Sequence, residues 1–382
     1  MVSILACRSA AFNDADRALG FVLENGFAVP RTTRMRRTQN PTPAEDPRYT
    51  AAVIPTTMLA ELASYADDLG VPVAPWLAGL GLTRAAIDDG DTCVSYRQAS
   101  TVIRRALKAI PRRSAGLEVG GRQSLGTFGI LGLAMMTART FGDAMAIGIE
   151  HHAVSGALMD MELEVLGPEE VALLARPRFA DDPILVFLCE ELFASSLVVC
   201  RSLLGPAFAP ARLELTYPEP AHAADYKQLF RCDIRFGARH NRAVVERRWL
   251  DVELPTHHPV SAQQALAICR EQAANLKRQS DIVAAVERVL RQRLQDHPRL
   301  VEVARSLNLS ERTLRRHLAT CGRIFRDIHD RIRTERALEL LHAGALSVGD
   351  IGSEVGFSDA REFRRAFKRW TGSPPSAVRA GR

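Results

Sequence analysis

The chain has 382 residues, 47% hydrophobic and 25% charged, with 50 Lys+Arg against 44 Asp+Glu and a formal net charge of +6. That apolar content supplies two or three cores and predicts more than one domain, and no run approaches the roughly 20 consecutive apolar residues of a membrane span. Seven cysteines, an odd number without a C-x-x-C pair, give no support for a disulfide framework or a zinc site and fit the reducing cytoplasm.

Residues 1–48 lack sustained periodicity and read as a disordered extension. A basic run holds Arg31, Arg34, Arg36 and Arg37, and a proline-rich stretch follows from Gln39 to Pro47. The arginines suit either a solvated tail or an arm on phosphates, and Met35 is an alternative start. The first twelve residues lack the basic n-region of a secretory signal.

A regular domain begins at Ile54. Thr56 or Thr57 caps a helix ending at Gly70, whose inner face is Leu59, Leu62, Ala63, Ala66 and Leu69. Residues 71–80 form a short helix and 83–90 a further turn, and Ser95 caps a helix carrying Val102, Ile103, Ala106 and Ile110. The stretch from Leu125 to Met136 is apolar and spaced by Gly126, Gly129 and Gly132. It has no G-x-x-x-x-G-K-[ST] and no preceding strand, so it is not a phosphate loop. It reads as a tightly packed turn entering a buried helix, or as the lining of a site for an apolar ligand. His151 and His152 are adjacent, so their side chains diverge and do not make a metal pair.

From Leu158 to Val165 apolar and acidic residues alternate, the mark of a half-buried strand, with 170–175 as its partner. Pro183 to Leu204 is a long apolar helix that must be buried on most sides or used between subunits; Cys189 and Cys200 lie in it as small hydrophobes. Residues 212–217 read as a strand, 223–230 as a helix, and 233–237 and 241–247 as two more strands. Two helices, 261–277 and 281–294, lead onward.

The last hundred residues contain one pattern twice. In the first copy Val301, Ala304, Leu307, Leu314 and Leu318 are the apolar set, Asn308 breaks the helix, and Ser310 caps the next one. Ala304 is the small residue needed where two helices cross after so short a turn. In the second copy Ile351, Val355, Phe357, Phe363, Phe367 and Trp370 are apolar, Gly356 marks the turn, and Ser358 or Asp359 caps. Gly352 stands where the first copy has Ala304; it is kept for close helix contact, or this helix is simply weaker. A spacer helix from Phe325 to His342, roughly 25 Å long, presents Ile328, Ile332, Leu338 and Leu341 inward. Such a strut can hold two recognition helices about one DNA turn, roughly 34 Å, apart. Residues 281–382 hold 20 Lys+Arg against 13 Asp+Glu, a net +7, so the excess charge of the chain lies where phosphates would reward it.

The register A304-R-S-L-N-L-S-E-R-T-L-R-R, the spacer R333-T-E-R-A-L-E-L-L and the run from Ile351 to Arg379 resemble the DNA-binding domain of the AraC/XylS family of bacterial transcription regulators. Gly352 and Val378 depart from that family, which usually has alanine and tyrosine there. The motifs L125-G-x-x-G-x-L-G, E214-x-x-Y-P-x-P, Y226-x-x-L-F-x-C-x-I-R-F-G237 and Trp249 to Pro255 resemble the amino-terminal domain of the ornithine-utilisation regulator group, over about 51–258.

The resemblance implies an α+β regulatory domain at 51–258, a linker helix at 259–280, and an all-α DNA-binding domain at 281–382 with two helix-turn-helix motifs. It implies a sequence-specific transcription factor, usually an activator, that answers to a small-molecule effector. The first reader would use Arg312, Arg315 and Arg316; the second would use Ala360, Arg361, Arg364 and Arg365. Ala304, Leu307, Leu314, Gly352, Gly356, Phe357 and Phe367 would pack the motifs. Promoter DNA, RNA polymerase and a second copy of the chain are the implied macromolecular partners, with no membrane and no cofactor. The alternatives are a repressor, an architectural DNA-binding protein without a ligand, and an enzyme fused to a DNA reader. The last finds no G-x-S-x-G, H-E-x-x-H or Walker loop to support it.

Overall fold

The computed structural model describes Tyr49 and residues 51–380, apart from Asp91, Arg112, Arg113 and Gly322. The extension expected over 1–48 lies outside the described residues. The amino-terminal part opens with β1 (Ile54–Pro55), α1 (Thr57–Asp68), α2 (Ala74–Leu77), α3 (Arg84–Asp88), β2 (Cys93–Val94), α4 (Tyr96–Ala109) and α5 (Ala115–Arg122). A 3-10 turn at Leu125–Phe128 leads into α6 (Gly129–Met136) and α7 (Phe141–Glu150). Ser95 caps α4 as expected, accepting from Gln98 N at 3.2 Å while Gln98 Oε1 accepts from Ser95 N at 3.0 Å. Thr56 does stand at the N-cap of α1, yet its hydroxyl is buried and donates to Ile87 O at 2.7 Å. It ties α1 to α3 and caps nothing.

Next come β3 (Met159–Val165), β4 (Glu170–Pro177), α8 (Asp182–Leu204), β5 (Arg212–Glu214), α9 (Ala223–Phe230), β6 (Asp233–Arg235) and β7 (Asn241–Glu246). The five strands lie in the order β3-β4-β7-β5-β6, antiparallel except for the β5–β6 pair. Arginines and glutamates lace these strands together. Arg242 reaches Glu164 at 2.9 Å and Glu214 at 2.8 Å, and Arg212 reaches Glu214 at 2.9 Å and Glu170 at 2.6 Å.

Helix α8 is the centre of this domain. It is the one helix among the described residues long and apolar enough to cross a membrane, yet 67% of its most apolar window is packed inside the fold, as a core helix would be. Helix α5 crosses it at backbone contact. A Cβ on Gly116 would lie 2.5 Å from Glu190 Cβ, and one on Gly120 would lie 2.3 Å from Glu191 O. One glycine of the apolar stretch acts the same way: a Cβ on Gly132 would sit 1.8 Å from Leu125 O, so the turn is folded directly onto α6.

Two helices were expected over 261–294, but the structure has one, α10 (Pro259–Gln292). No proline or glycine interrupts residues 260–292, so nothing stops the backbone ladder where the apolar pattern lapses. The expected linker boundary at 280 and 281 therefore falls inside a continuous helix. Its first half packs along α6, with Ala265 and Cys269 buried; its second half puts Val283, Val286 and Leu290 into the core of the carboxy-terminal domain. Ala51 and Val53 join that same core from the start of the described chain.

Candidate nucleic-acid interface and an amino-terminal cavity

The carboxy-terminal domain continues with α11 (Leu300–Ser306), α12 (Glu311–Thr320), α13 (Phe325–Ala343), α14 (Val348–Glu354), α15 (Ala360–Thr371) and α16 (Pro375–Ala380). Asn308 takes the left-handed backbone, φ 55°, that turns α11 into α12, and Leu309 N donates to Ala304 O at 2.9 Å. Ser310 caps α12, accepting from Thr313 N at 3.1 Å. In the second unit Gly356 makes the turn at φ 79°, and it is Asp359 that caps α15, accepting from Arg361 N at 2.8 Å.

The packing residues fall largely as expected. Ala304, Leu314, Phe363 and Phe367 are fully buried, and Leu307 and Phe357 are partly buried against the same core. Val301 is the exception, 40% exposed, with Val303 in its place at 0%. The inward set of α11 is Leu300, Val303, Ala304 and Leu307, the i, i+3, i+4, i+7 stripe of one face, whereas 301, 304 and 307, three apart throughout, drift around the helix. Gly352 is kept for close contact: a Cβ there would meet Phe363 Cβ at 3.2 Å and Cγ at 3.3 Å.

Opposite these buried faces run two basic stripes. On α12, Arg312, Arg315 and Arg316 are exposed, while Leu314 and Leu318 face inward. Arg315, its side chain 71% exposed, leans on Glu311 at 2.6 Å. On α15, Arg361, Arg364 and Arg365 are exposed against buried Phe363, Ala366 and Phe367, and Ala360 is half-buried at the first turn. Lys368 extends this stripe by one more turn, a position the sequence reading omitted although it lies at i+7 from Arg361.

Arg333, a spacer residue in the sequence pattern, joins the pieces. Its Nη2 donates to Gly356 O at 2.9 Å and to His297 Nδ1, and its guanidinium lies 4.5 Å from the centre of the Phe357 ring. Burial lowers its pKa to about 10. Nearby, burial and then the Arg333 charge push His329 down to about 3, so that ring is neutral. A second tie links the domains: Glu287 of α10 pairs with Arg331, Arg331 with Glu335 at 2.8 Å, and Glu335 with Arg97 of α4 at 3.8 Å.

Within the amino-terminal domain, α1, α6, α7, α8 and the sheet border a cavity of about 720 Å³ of atom-free space, open solvent at its mouth included. Phe128, Leu131 and Met135 line it from the glycine-rich stretch. Gln123 and Glu191, 68 positions apart, meet at its wall, Gln123 Nε2 donating to Glu191 Oε1 at 2.6 Å. Burial pushes Glu191 up to about 7, the Gln123 hydrogen bond opposing it only in part. The folded protein therefore holds a proton here that the unfolded chain has released above about pH 4.5, so stability should fall as pH rises from there to about 7. In urea unfolding at pH 5 and pH 8, the wild type should lose on the order of 3 kcal/mol more than Glu191→Gln. Equal losses would place the Glu191 carboxyl in water.

The model of the arabinose-binding domain of AraC transcription regulators, N-terminal, matches residues 70–254, and a helix-turn-helix domain model matches residues 303–381. The ornithine utilization regulator of Pseudomonas aeruginosa is 28% identical over 87% of this chain and 97% of its own length. An HTH-type transcriptional regulator of Mycobacterium tuberculosis is 29% identical over 85% of this chain and 94% of its own. The crystal structure of the transcriptional regulator CdpR from Pseudomonas aeruginosa covers 85% of this chain and 98% of its own at 23% identity, with a TM-score of 0.44. The chain therefore belongs to the AraC family of transcription regulators, with the arabinose-binding domain of that family ahead of its DNA-binding helix-turn-helix domain.

Proposed function

We propose that the protein activates transcription in the cytoplasm by reading two successive major grooves with α12 and α15, under the control of a small molecule held in the amino-terminal cavity. The observation that carries this is the pair of basic stripes, each on the outer face of a helix whose inner face is locked into one core. Arg312, Arg315 and Arg316 belong to the first half-site and Ala360, Arg361, Arg364 and Arg365 to the second. An arginine on a base edge bonds bidentately to guanine, while Ala360 can only touch a thymine methyl. Helix α10 supports the coupling, since it touches α6 at one end and the core beneath the readers at the other. RNA polymerase and a second copy of the chain are the further partners; Val260 and Ile268 of α10, 58% and 44% exposed, offer apolar surface for the latter.

Arg315→Ala and Arg361→Ala are each expected to weaken specific binding by about 1–3 kcal/mol, with specificity relaxed in one half of the site apiece. Gel-shift titrations against half-site variants check this. A loss equal on all sequences, with a shallower salt dependence, would reassign both to phosphates. Filling the cavity with Met135→Trp should leave DNA binding intact and abolish the promoter's response to growth conditions; an unchanged response would remove the effector from the mechanism.

A further inference from the structure

The chemistry of the cavity wall narrows what it can take, an inference that rests on reading the cavity as the effector site. Met58, Met135, Met145 and Met161 supply a pliable apolar wall, and among the described residues no Lys, Arg or His lines it. Polar atoms converge at one place. Gln123 is 3% exposed, its amide nitrogen is spent on Glu191, and its buried Oε1 has no partner. Two lining hydroxyls are already used, Ser195 Oγ donating to Leu192 O at 3.0 Å and Ser155 Oγ to His152 O at 2.7 Å, and those of Thr57 and Ser196 also line the chamber. The Glu191 carboxyl and the Gln123 amide oxygen stand together at its edge.

We propose that the cavity binds an apolar amine, its ammonium held between the Glu191 carboxylate and Gln123 Oε1 and its hydrocarbon body among the four methionines. Above about pH 7, where Glu191 is ionised, a carboxylate ligand would set two like charges together, and a hydrocarbon would leave the amide oxygen unpaired at any pH. Other charged groups near this wall are engaged elsewhere. Glu190 turns to His222 and accepts from Tyr226 at 2.7 Å, and Arg122 pairs with Asp68 beside the Tyr65 ring. From α6, α7 and the sheet the lining is uncharged, so among the described residues Glu191 is the one ionisable side chain that lines the cavity.

Calorimetry on the full-length protein with hexylamine, 1-hexanol and hexanoate tests the proposal. At pH 8 hexylamine should bind at least about tenfold more tightly than hexanol, and hexanoate not at all, because a charge-assisted hydrogen bond in an apolar site outweighs a neutral one. Affinity for the amine should rise about tenfold between pH 6 and pH 8 as the carboxyl ionises. Glu191→Gln keeps the shape and the Gln123 contact; it should bind amine and alcohol alike, with no pH dependence. Met135→Trp should abolish binding of both. Equal affinities of the wild type for amine and alcohol would overturn the amine while leaving a ligand cavity. Hexylamine binding that survives Met135→Trp unchanged would move the amine elsewhere and end the proposal. The promoter assay of Met135→Trp judges the effector reading separately, whatever the amine does.

Discussion

Replacing Phe363 by alanine is expected to cost the DNA-binding domain about 3–5 kcal/mol, the range for truncating a fully buried phenylalanine, and to abolish specific DNA binding with it. Phe363 is 0% exposed and stands at the crossing of α14 and α15. Its ring centre lies 5.7 Å from those of both Phe357 and Phe367, and Gly352 lets α14 approach its Cβ. Truncation removes the anchor that fixes the second stripe against the first. Arg361→Ala, by contrast, takes an exposed side chain off the same helix and should leave the melting temperature within about a degree or two of the wild type, as surface changes of under ~0.5 kcal/mol do. Thermal unfolding and gel shifts on the two variants separate scaffold from reading surface. A Phe363→Ala protein that melts and binds like the wild type would mean that α15 is positioned by something other than this core.

The helix-turn-helix units were legible because their signals are local. A cap, a break and a three- to four-residue period lie within a dozen residues, as with Ser310, Asn308 and the Leu314–Leu318 pair. The same locality explains the error at Val301, since a helix of two turns is too short for periodicity to choose between adjacent registers. Helix α10 was divided because its apolar pattern lapses between Leu276 and Ile282, where the helix passes from one core to the next while the backbone continues. The Gln123–Glu191 pair left no local signal. It exists because Gly116 and Gly120 let α5 lie against α8, and no spacing along the chain encodes that crossing. Lys368 carried the signal and was passed over, being one turn beyond the residues that the family resemblance highlighted.

Gly132→Ala should be the most damaging single methyl in the amino-terminal domain, costing about 3 kcal/mol or more. Overpacking by one carbon ordinarily costs about 1–3 kcal/mol when neighbours can give way. Here the added Cβ would stand 1.8 Å from the Leu125 carbonyl oxygen, which is backbone and cannot rotate aside. That backbone is itself pinned, Ser124 N donating to Thr127 Oγ1 at 3.1 Å and Thr127 N to Ser124 Oγ at 3.4 Å. The turn and α6 must therefore part, and with them move Phe128, Leu131 and Met135 of the cavity wall and the face that lies along α10. The core under the readers contains none of these residues. Calorimetric unfolding should accordingly show the amino-terminal transition lowered and the carboxy-terminal one little changed, with ligand binding lost and DNA binding retained. If DNA binding fell in step with the amino-terminal transition, α10 would be a rigid strut on which the readers depend even without ligand. Melting identical to the wild type would show that the turn at Leu125 is not held against α6 at all.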